Sequence, residues 1–207
     1  MMKQEAYLSV GQAMNSRRSI KYFDPDYHLD QDKVDYIIQN AKLSPSAFHI
    51  QHWRFLIVQN KELKKRIREA SYGQPQPEEA SLLMILCADL KAWEKDPVRY
   101  ALHRDDTHRE KSAKNIQRYY EGNDRHERDD AMRSVGLVAM SIMLLASEMG
   151  LDSCPMTGFD FKKVSELIKL PGDYIIGMMI AIGKRKEDPP PRGSILENDE
   201  ILKIDTF

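Results

Sequence analysis

The sequence predicts an α+β domain, and three observations carry that reading. Segments with apolar residues at helical spacing alternate with short runs rich in aromatic and β-branched residues. The run from Ser81 to Ala88 is apolar without alternation, as a strand buried on both faces would be. The chain, at 207 residues, is long enough to bury one sizeable core and reads as a single domain spanning 1–207.

In chain order, residues 8–15 read as a short first helix. Asp30 is placed to cap a second helix, in which Val34, Ile37, Ile38 and Ala41 fall on one face. Ser44 and Pro45 end it, because a residue before proline is pushed out of helical geometry. Residues 53–58 have strand composition. Leu63, Ile67 and Ala70 mark the inner stripe of a third helix, ended near Tyr72 and Gly73, and a Gln/Pro loop at 74–77 leads into the apolar strand. Residues 131–149 form a helix apolar on nearly every side and closed by Gly150; such a helix needs cover all round, which a subunit interface or a central position would supply. A turn is expected at 155–158, then a helix over 161–169 capped by Asp160, and a strand over 174–183. The tail at 188–207 is mostly polar, yet Ile195, Leu196, Ile201, Leu202, Ile204 and Phe207 imply that it packs on something.

Residues 91–130 break this pattern. They are crowded with charge and carry Trp93, Tyr100, Tyr119 and Tyr120. Two readings stand open: one or two solvated surface helices joined by a mobile connection at 121–124, or a lid over a ligand pocket.

Charge and cysteine content exclude several classes. Basic and acidic residues number 31 and 32, so no global field draws the chain to nucleic acid or to an anionic membrane. Cys87 and Cys154 show no pairing pattern, the N-terminus has no signal-peptide apolar core, and the longest apolar run is too short to span a bilayer. The expectation is a soluble, cytoplasmic protein. No Walker loop, dinucleotide fingerprint or Ser-His-Asp order is present. His49 and His52 lack further ligands at metal-site spacing, so no metal site is expected.

The chemistry concentrates in two runs. Arg17, Arg18, Ser19, Ile20 and Lys21 put three cations and a hydroxyl in five residues; in an extended chain Arg17, Ser19 and Lys21 share one face. Guanidinium forks match the paired oxygens of phosphate. The second run, residues 44–53, offers Pro45, Ser46, Ala47, His49 and Gln51, small and amide side chains that let a flat ligand approach the backbone. Together they suit an anionic, partly aromatic cofactor.

At this spacing the two runs resemble the nitroreductase family of flavoproteins. The likeness extends to Pro155, Met156, Thr157 and Gly158, to the strand ending at Gly183, and to Arg192 after three prolines, leaving only about 91–130 uncovered. The resemblance implies a mainly antiparallel central sheet flanked by helices, in an intertwined homodimer with FMN at the interface. It implies that Arg17, Arg18, Ser19 and Lys21 hold the phosphate, ribityl chain and pyrimidine edge. Pro45, Ser46, Ala47, His49 and Gln51 of the second subunit would meet the ring, with Gln74 at the pyrimidine edge and residues 155–158 on the N5 side. Arg192 is the late phosphate ligand, with Lys184, Arg185 and Lys186 as alternatives. His49 and His52 depart from the asparagine and proline usual in the family. The implied activity is ping-pong hydride transfer from NADH or NADPH through flavin N5 to a flat acceptor such as a nitroaromatic or quinone, with no catalytic side chain required. In the family the 91–130 position covers the flavin, which favours the lid, and the tail at 188–207 packs on the other subunit. Two rivals remain: a branch acting on a defined metabolite, as a dehalogenase or enoate reductase does, and a flavin-binding sensor without turnover.

Overall fold

The computed structural model describes residues 8–207. The capping box of Ser9 and Gln12 starts α1 (Val10–Ser16). α2 (Gln31–Ala41) follows; Asp30 stands at its N-cap position, but its side chain makes no bond to the helix. A single 3-10 turn (Ala47–His49) leads into β1 (Trp53–Val58). Asn60 caps α3 (Lys61–Ala70), and a short α4 (Gln76–Glu79) occupies the Gln/Pro loop. β2 (Leu82–Asp89) comes next, then a short α5 (Ala92–Lys95), a 3-10 segment (Pro97–Ala101) and α6 (Asp106–Tyr120). α7 (Asp124–Glu148), β3 (Asp152–Met156), α8 (Phe161–Leu167), β4 (Tyr174–Gly183) and a short α9 (Asn198–Ile201) complete the order.

The strands form one sheet in the order β1-β2-β4-β3, with every pairing antiparallel. All eight residues of β2 are buried, because it is a central strand covered on both faces. Leu82, Met84 and Leu86 face a core built with α2 and α7, while Leu83, Ile85 and Cys87 face one built with α3, α8 and Phe23. The register of β2 and β4 slips between Leu86 and Cys87, opposite Gly177. A Cβ on Gly177 would come within 2.5 Å of Val135 Cγ1, so the missing side chain lets α7 lie close on the sheet.

α7 starts seven residues before the predicted 131, within the charged stretch, and is long and apolar enough to cross a membrane by length and composition. It is instead the core helix of the sheet: Ala131, Val135, Val138, Ala139, Ile142 and Ala146 are buried. Its opposite face is only partly covered by the described residues. Leu137 is 48% exposed, and Met140 and Leu144 on the same stripe are only half-buried.

The charged stretch also departs from expectation. The connection at 121–124 is a tight turn, with Gly122 at φ +71° and Asn123 capping α7. Trp93, Tyr100 and Tyr120 are buried together with Ile50, Ala92 and Ile116 in a small separate core. Trp93 stacks on Tyr120 at 5.8 Å, and its indole N–H donates to Glu127 at 2.7 Å. Tyr120 donates to Asp130 at 3.0 Å. Three of the four aromatics therefore hold the insert together, and only Tyr119 keeps a large exposed surface, at 39%.

Candidate functional site

The cationic run lies beside β3. Ser19 bridges Ser153 in parallel sense, and the Ile20 N–H donates to the Ser153 carbonyl at 3.1 Å, with the Ile20 side chain buried as an anchor. The proline-rich tail folds back on this run. Arg192 donates to the carbonyls of Asn15 at 3.1 Å and Arg17 at 2.9 Å, satisfying the open end of α1, and Arg18 donates to the Pro190 carbonyl. Arg17, Arg18 and Arg192 thus converge, and among the described residues none has a carboxylate partner. Burial lowers the Arg17 pKa, and the charges of Arg192 and Arg18 push it the same way. Among the described residues, Arg17 Nε and the neighbouring Ser153 hydroxyl are buried without a protein partner. A cleft of 340 Å³, walled by Ser16, Arg17, Arg18, Ser153 and Lys184, opens here. Unpaired donors among like charges create a demand for an anion.

Of the alternative cations, Arg185 is taken: it grips Asp152 at 2.7 Å and reaches Asp188 at 3.3 Å. Lys184 donates to the Gly150 carbonyl at the cleft wall, and Lys186 is exposed, its backbone N–H on Tyr22.

The expected turn at 155–158 begins two residues late. Pro155 and Met156 belong to β3, opposite Ile180 and Met179, because an edge strand tolerates a proline that has no N–H to give. The Met156 side chain is buried in the core, which leaves its backbone for a ligand; Thr157 and Gly158 are exposed. Gln74 meets this turn, its amide donating to the carbonyls of Gly158 at 2.6 Å and Ser71 at 3.1 Å. Gln76, which the sequence did not single out, is buried with its carbonyl oxygen unpartnered and its amide 3.9 Å from Cys154 Sγ. A Gln two residues from the chosen Gln74 was the available signal. Burial raises the Cys154 pKa against the opposing pull of Gln76, Lys21 and Arg17, which disfavours the thiolate.

Residues 45–51 form a strained platform. Phe48, His49 and Gln51 have φ of +50°, +60° and +53°, left-handed values that each cost about 1–2 kcal/mol for a residue bearing Cβ. The Ser46 hydroxyl accepts from the Gln51 N–H at 2.9 Å and pins the loop. Pro45 and His49 are exposed; Ser46, Ala47 and Gln51 are half-buried. His52 behaves differently. It is fully buried, with Nδ1 3.1 Å from the Ser134 hydroxyl, whose own proton goes to the Asp130 carbonyl. Burial pulls its pKa down to about 4, so it is a neutral core residue.

The structure gathers Arg17, Arg18, Ser19, Lys21, Gln74, Pro155, Met156, Thr157, Gly158 and Arg192 along β3, and it does not bring Pro45, Ser46, Ala47, His49 and Gln51 to them. The platform leads into Trp53, at the Ala88 end of edge strand β1; the arginine corner sits at Asp152 and Ser153, at the Gly183 end of the other edge strand. The two groups occupy diagonal corners of one sheet.

The nitroreductase family model matches residues 14–184. Protein DrgA of Synechocystis sp. is 46% identical over 178 residues, 86% of this chain and 85% of the relative. The oxygen-insensitive NADPH nitroreductase of Helicobacter acinonychis is 30% identical over 202 residues, covering 92% and 94%. Among solved structures, a protein of Exiguobacterium sibiricum described as a nitroreductase in complex with FMN superposes at TM-score 0.87, with 26% identity over 96% of this chain and 98% of that one. With an antiparallel sheet of the same architecture and a match across most of its length, the chain belongs to the nitroreductase family.

Proposed function

We propose that the protein is an FMN-dependent oxidoreductase that takes electrons from NADH or NADPH and delivers them to a flat electrophile such as a nitroaromatic or a quinone. One observation carries this reading: Arg17, Arg18 and Arg192 converge with no carboxylate partner among the described residues, and Arg17 Nε is buried and unpaired among them, which fits the phosphate of FMN. The names of relatives and the FMN-bound structural neighbour support the same cofactor and donor.

Arg17, Arg18, Lys21 and Arg192 would hold FMN, which when bound would supply ping-pong hydride transfer between a nicotinamide donor and the acceptor. The chain's own work is binding and electrostatics. Arg17, Arg18 and Arg192 neutralise the phosphate. Lys21 would supply a cation to the pyrimidine edge of the ring. The N–H groups of Thr157 and Gly158, with the turn braced by Gln74, offer donors that need no titration. Solvent supplies the product's proton.

The platform at 45–51 reaches the ring only from a second copy, so the active unit is a homodimer with its sites at the interface. The only partly covered stripe of Leu137, Met140 and Leu144 supports this, as do the exposed aliphatics of the tail, with Ile195 at 74% and Ile204 at 79%. Residues 91–130 cover the acceptor side, with Phe48 and Tyr119 as the exposed rings, 5.3 Å apart. Both cysteines are unpaired and buried, which suits a reducing cytoplasm.

The test is the absorbance spectrum of the purified protein with extraction of its chromophore, followed by light scattering. Flavin bands, FMN on extraction and a mass near twice 24.0 kDa are expected. A colourless protein that also refuses added FMN would overturn the reading, and a flavin-loaded monomer would overturn the shared site.

A further inference from the structure

A second cleft, of 330 Å³, lies between the platform and the insert. Tyr100 and Ile116, both buried, contribute apolar surface, while Phe48, His49, Arg104 and Asn115 complete its lining. It therefore shares the His49 wall with the place assigned to the flavin ring. Its charge is unusual for so polar a segment. Asp105 is engaged by His108 at 2.7 Å and Asp106 by Arg109 at 2.8 Å. Arg104, between them and the cleft, has no carboxylate partner among the described residues. Only its Nε is used, donating to His103 Nε2 at 3.3 Å. The two terminal nitrogens of the fork, the pair that matches a carboxylate, carry no protein partner among the described residues.

We infer that this cleft receives the carboxylate-bearing end of an aromatic acceptor, with Arg104 as the residue that selects for the charge. The inference deepens the oxidoreductase reading and rests on it. Apolar surface from Tyr100 and Ile116 suits a flat ring, and one guanidinium beside the Ser112 hydroxyl and the Asn115 amide suits a monoanion.

The experiment uses the full-length, flavin-loaded protein. Calorimetric titration with benzoate and with its neutral counterpart benzamide is compared for the parent, Arg104→Ala, Arg104→Lys and the exposed control Lys111→Ala. Benzoate binds the parent more tightly than benzamide; Arg104→Ala loses about tenfold for benzoate, the scale of an exposed charge-assisted bond, with far less loss for benzamide. Arg104→Lys recovers part of the loss, since it keeps the charge without the fork. In turnover, the ratio of kcat/KM for 4-nitrobenzoate to that for nitrobenzene falls by the same factor in Arg104→Ala, while KM for NADPH holds. Equal benzoate affinity in Arg104→Ala and the parent overturns the inference, as does a change confined to KM for NADPH. A protein that turns over nitrobenzene yet ignores Arg104 loses this inference alone, whereas a protein that binds no flavin loses the oxidoreductase reading and this one with it.

Discussion

The arginine corner and the aromatic insert are both crowded with residue types that mark functional sites, and their chemistry is opposite. In the buried heart of the insert the carboxylates are met inside the chain. Glu127, almost fully buried, accepts from Trp93 at 2.7 Å and from Lys91 at 2.6 Å; Asp130 accepts from Tyr120 and Arg133; Asp89 is held by Arg54 and Lys95. At the corner, Arg17, Arg18 and Arg192 face one another, Arg17 Nε has no partner among the described residues, and the carboxylate in the cleft wall, Asp152, is already committed to Arg185. Unmet demand, rather than density of polar or aromatic groups, separates a binding site from a small polar core.

The sharpest way to break this contrast is to remove the centre of the insert. Tyr120 has 0% exposure and contacts Trp93, His52 and Phe48. Tyr120→Ala should cost about 3–5 kcal/mol of stability, the range for truncating a buried aromatic. Urea unfolding measures the loss, and FMN affinity at low denaturant should stay near the parent value. A large loss of flavin affinity with stability intact would make the insert, and not the corner, the cofactor site.

His52 gives the insert side a pH signature. Its pKa is about 4 in the folded protein against 6.5 for the free side chain, so the unfolded chain takes up a proton that the folded one refuses. Its contribution to stability is complete above pH 6.5 and declines as the pH falls towards 4, by about 3 kcal/mol in all. Urea midpoints for the parent and His52→Asn at pH 7, 6 and 5 test this. The parent should fall more steeply than the variant, and parallel profiles would show that His52 is not the group titrating.

The corner has its own test, next in size. Arg17→Ala should weaken FMN by roughly tenfold to a hundredfold, since a charge-assisted contact contributes about 1.5–3 kcal/mol. Stability without flavin should hold or rise, because a like charge is removed from beside Arg18 and Arg192. Quenching of FMN fluorescence on titration measures the affinity, and Lys111→Ala provides the control. Equal affinity in the two variants would place the phosphate elsewhere.

How far these regions could be read from the chain differs for physical reasons. α2 and α3 follow from local periodicity, because each buries a face that its own sequence repeats, while β1, β2 and β4 follow from local apolar and β-branched composition. The first two turns of α7 escaped notice because Glu127 and Asp130 are polar residues buried by partners 34 and 10 positions away, a satisfaction that no local window registers. Locally Pro155 reads as the start of a turn, and only the sheet order shows that it lies on an edge strand. The candidate site residues were legible as motifs. Their separation into diagonal corners was not, since it depends on which strands lie at the edges.

The smallest expected effect links a motif to backbone geometry. The family's usual asparagine corresponds to His49, which sits at φ +60° next to Phe48 at +50°. Asparagine and histidine are both enriched in left-handed geometry, so the conformation, as much as any contact, selects the residue. His49→Asn should therefore be nearly silent, changing stability by a few tenths of a kcal/mol at most and leaving FMN affinity within about twofold. His49→Val is the contrasting case. A β-branched residue there would carry strain of about 1–2 kcal/mol, and the loop would relieve it by moving the platform, which under the proposed shared site meets the ring of a second copy. Because His49 is exposed, neither change opens a cavity, and any difference between the variants reports the backbone. Thermal unfolding and FMN titration of the two variants decide the matter. Equal losses in both would assign the position's importance to the imidazole itself, and the shared geometry of asparagine and histidine would then explain nothing about the motif.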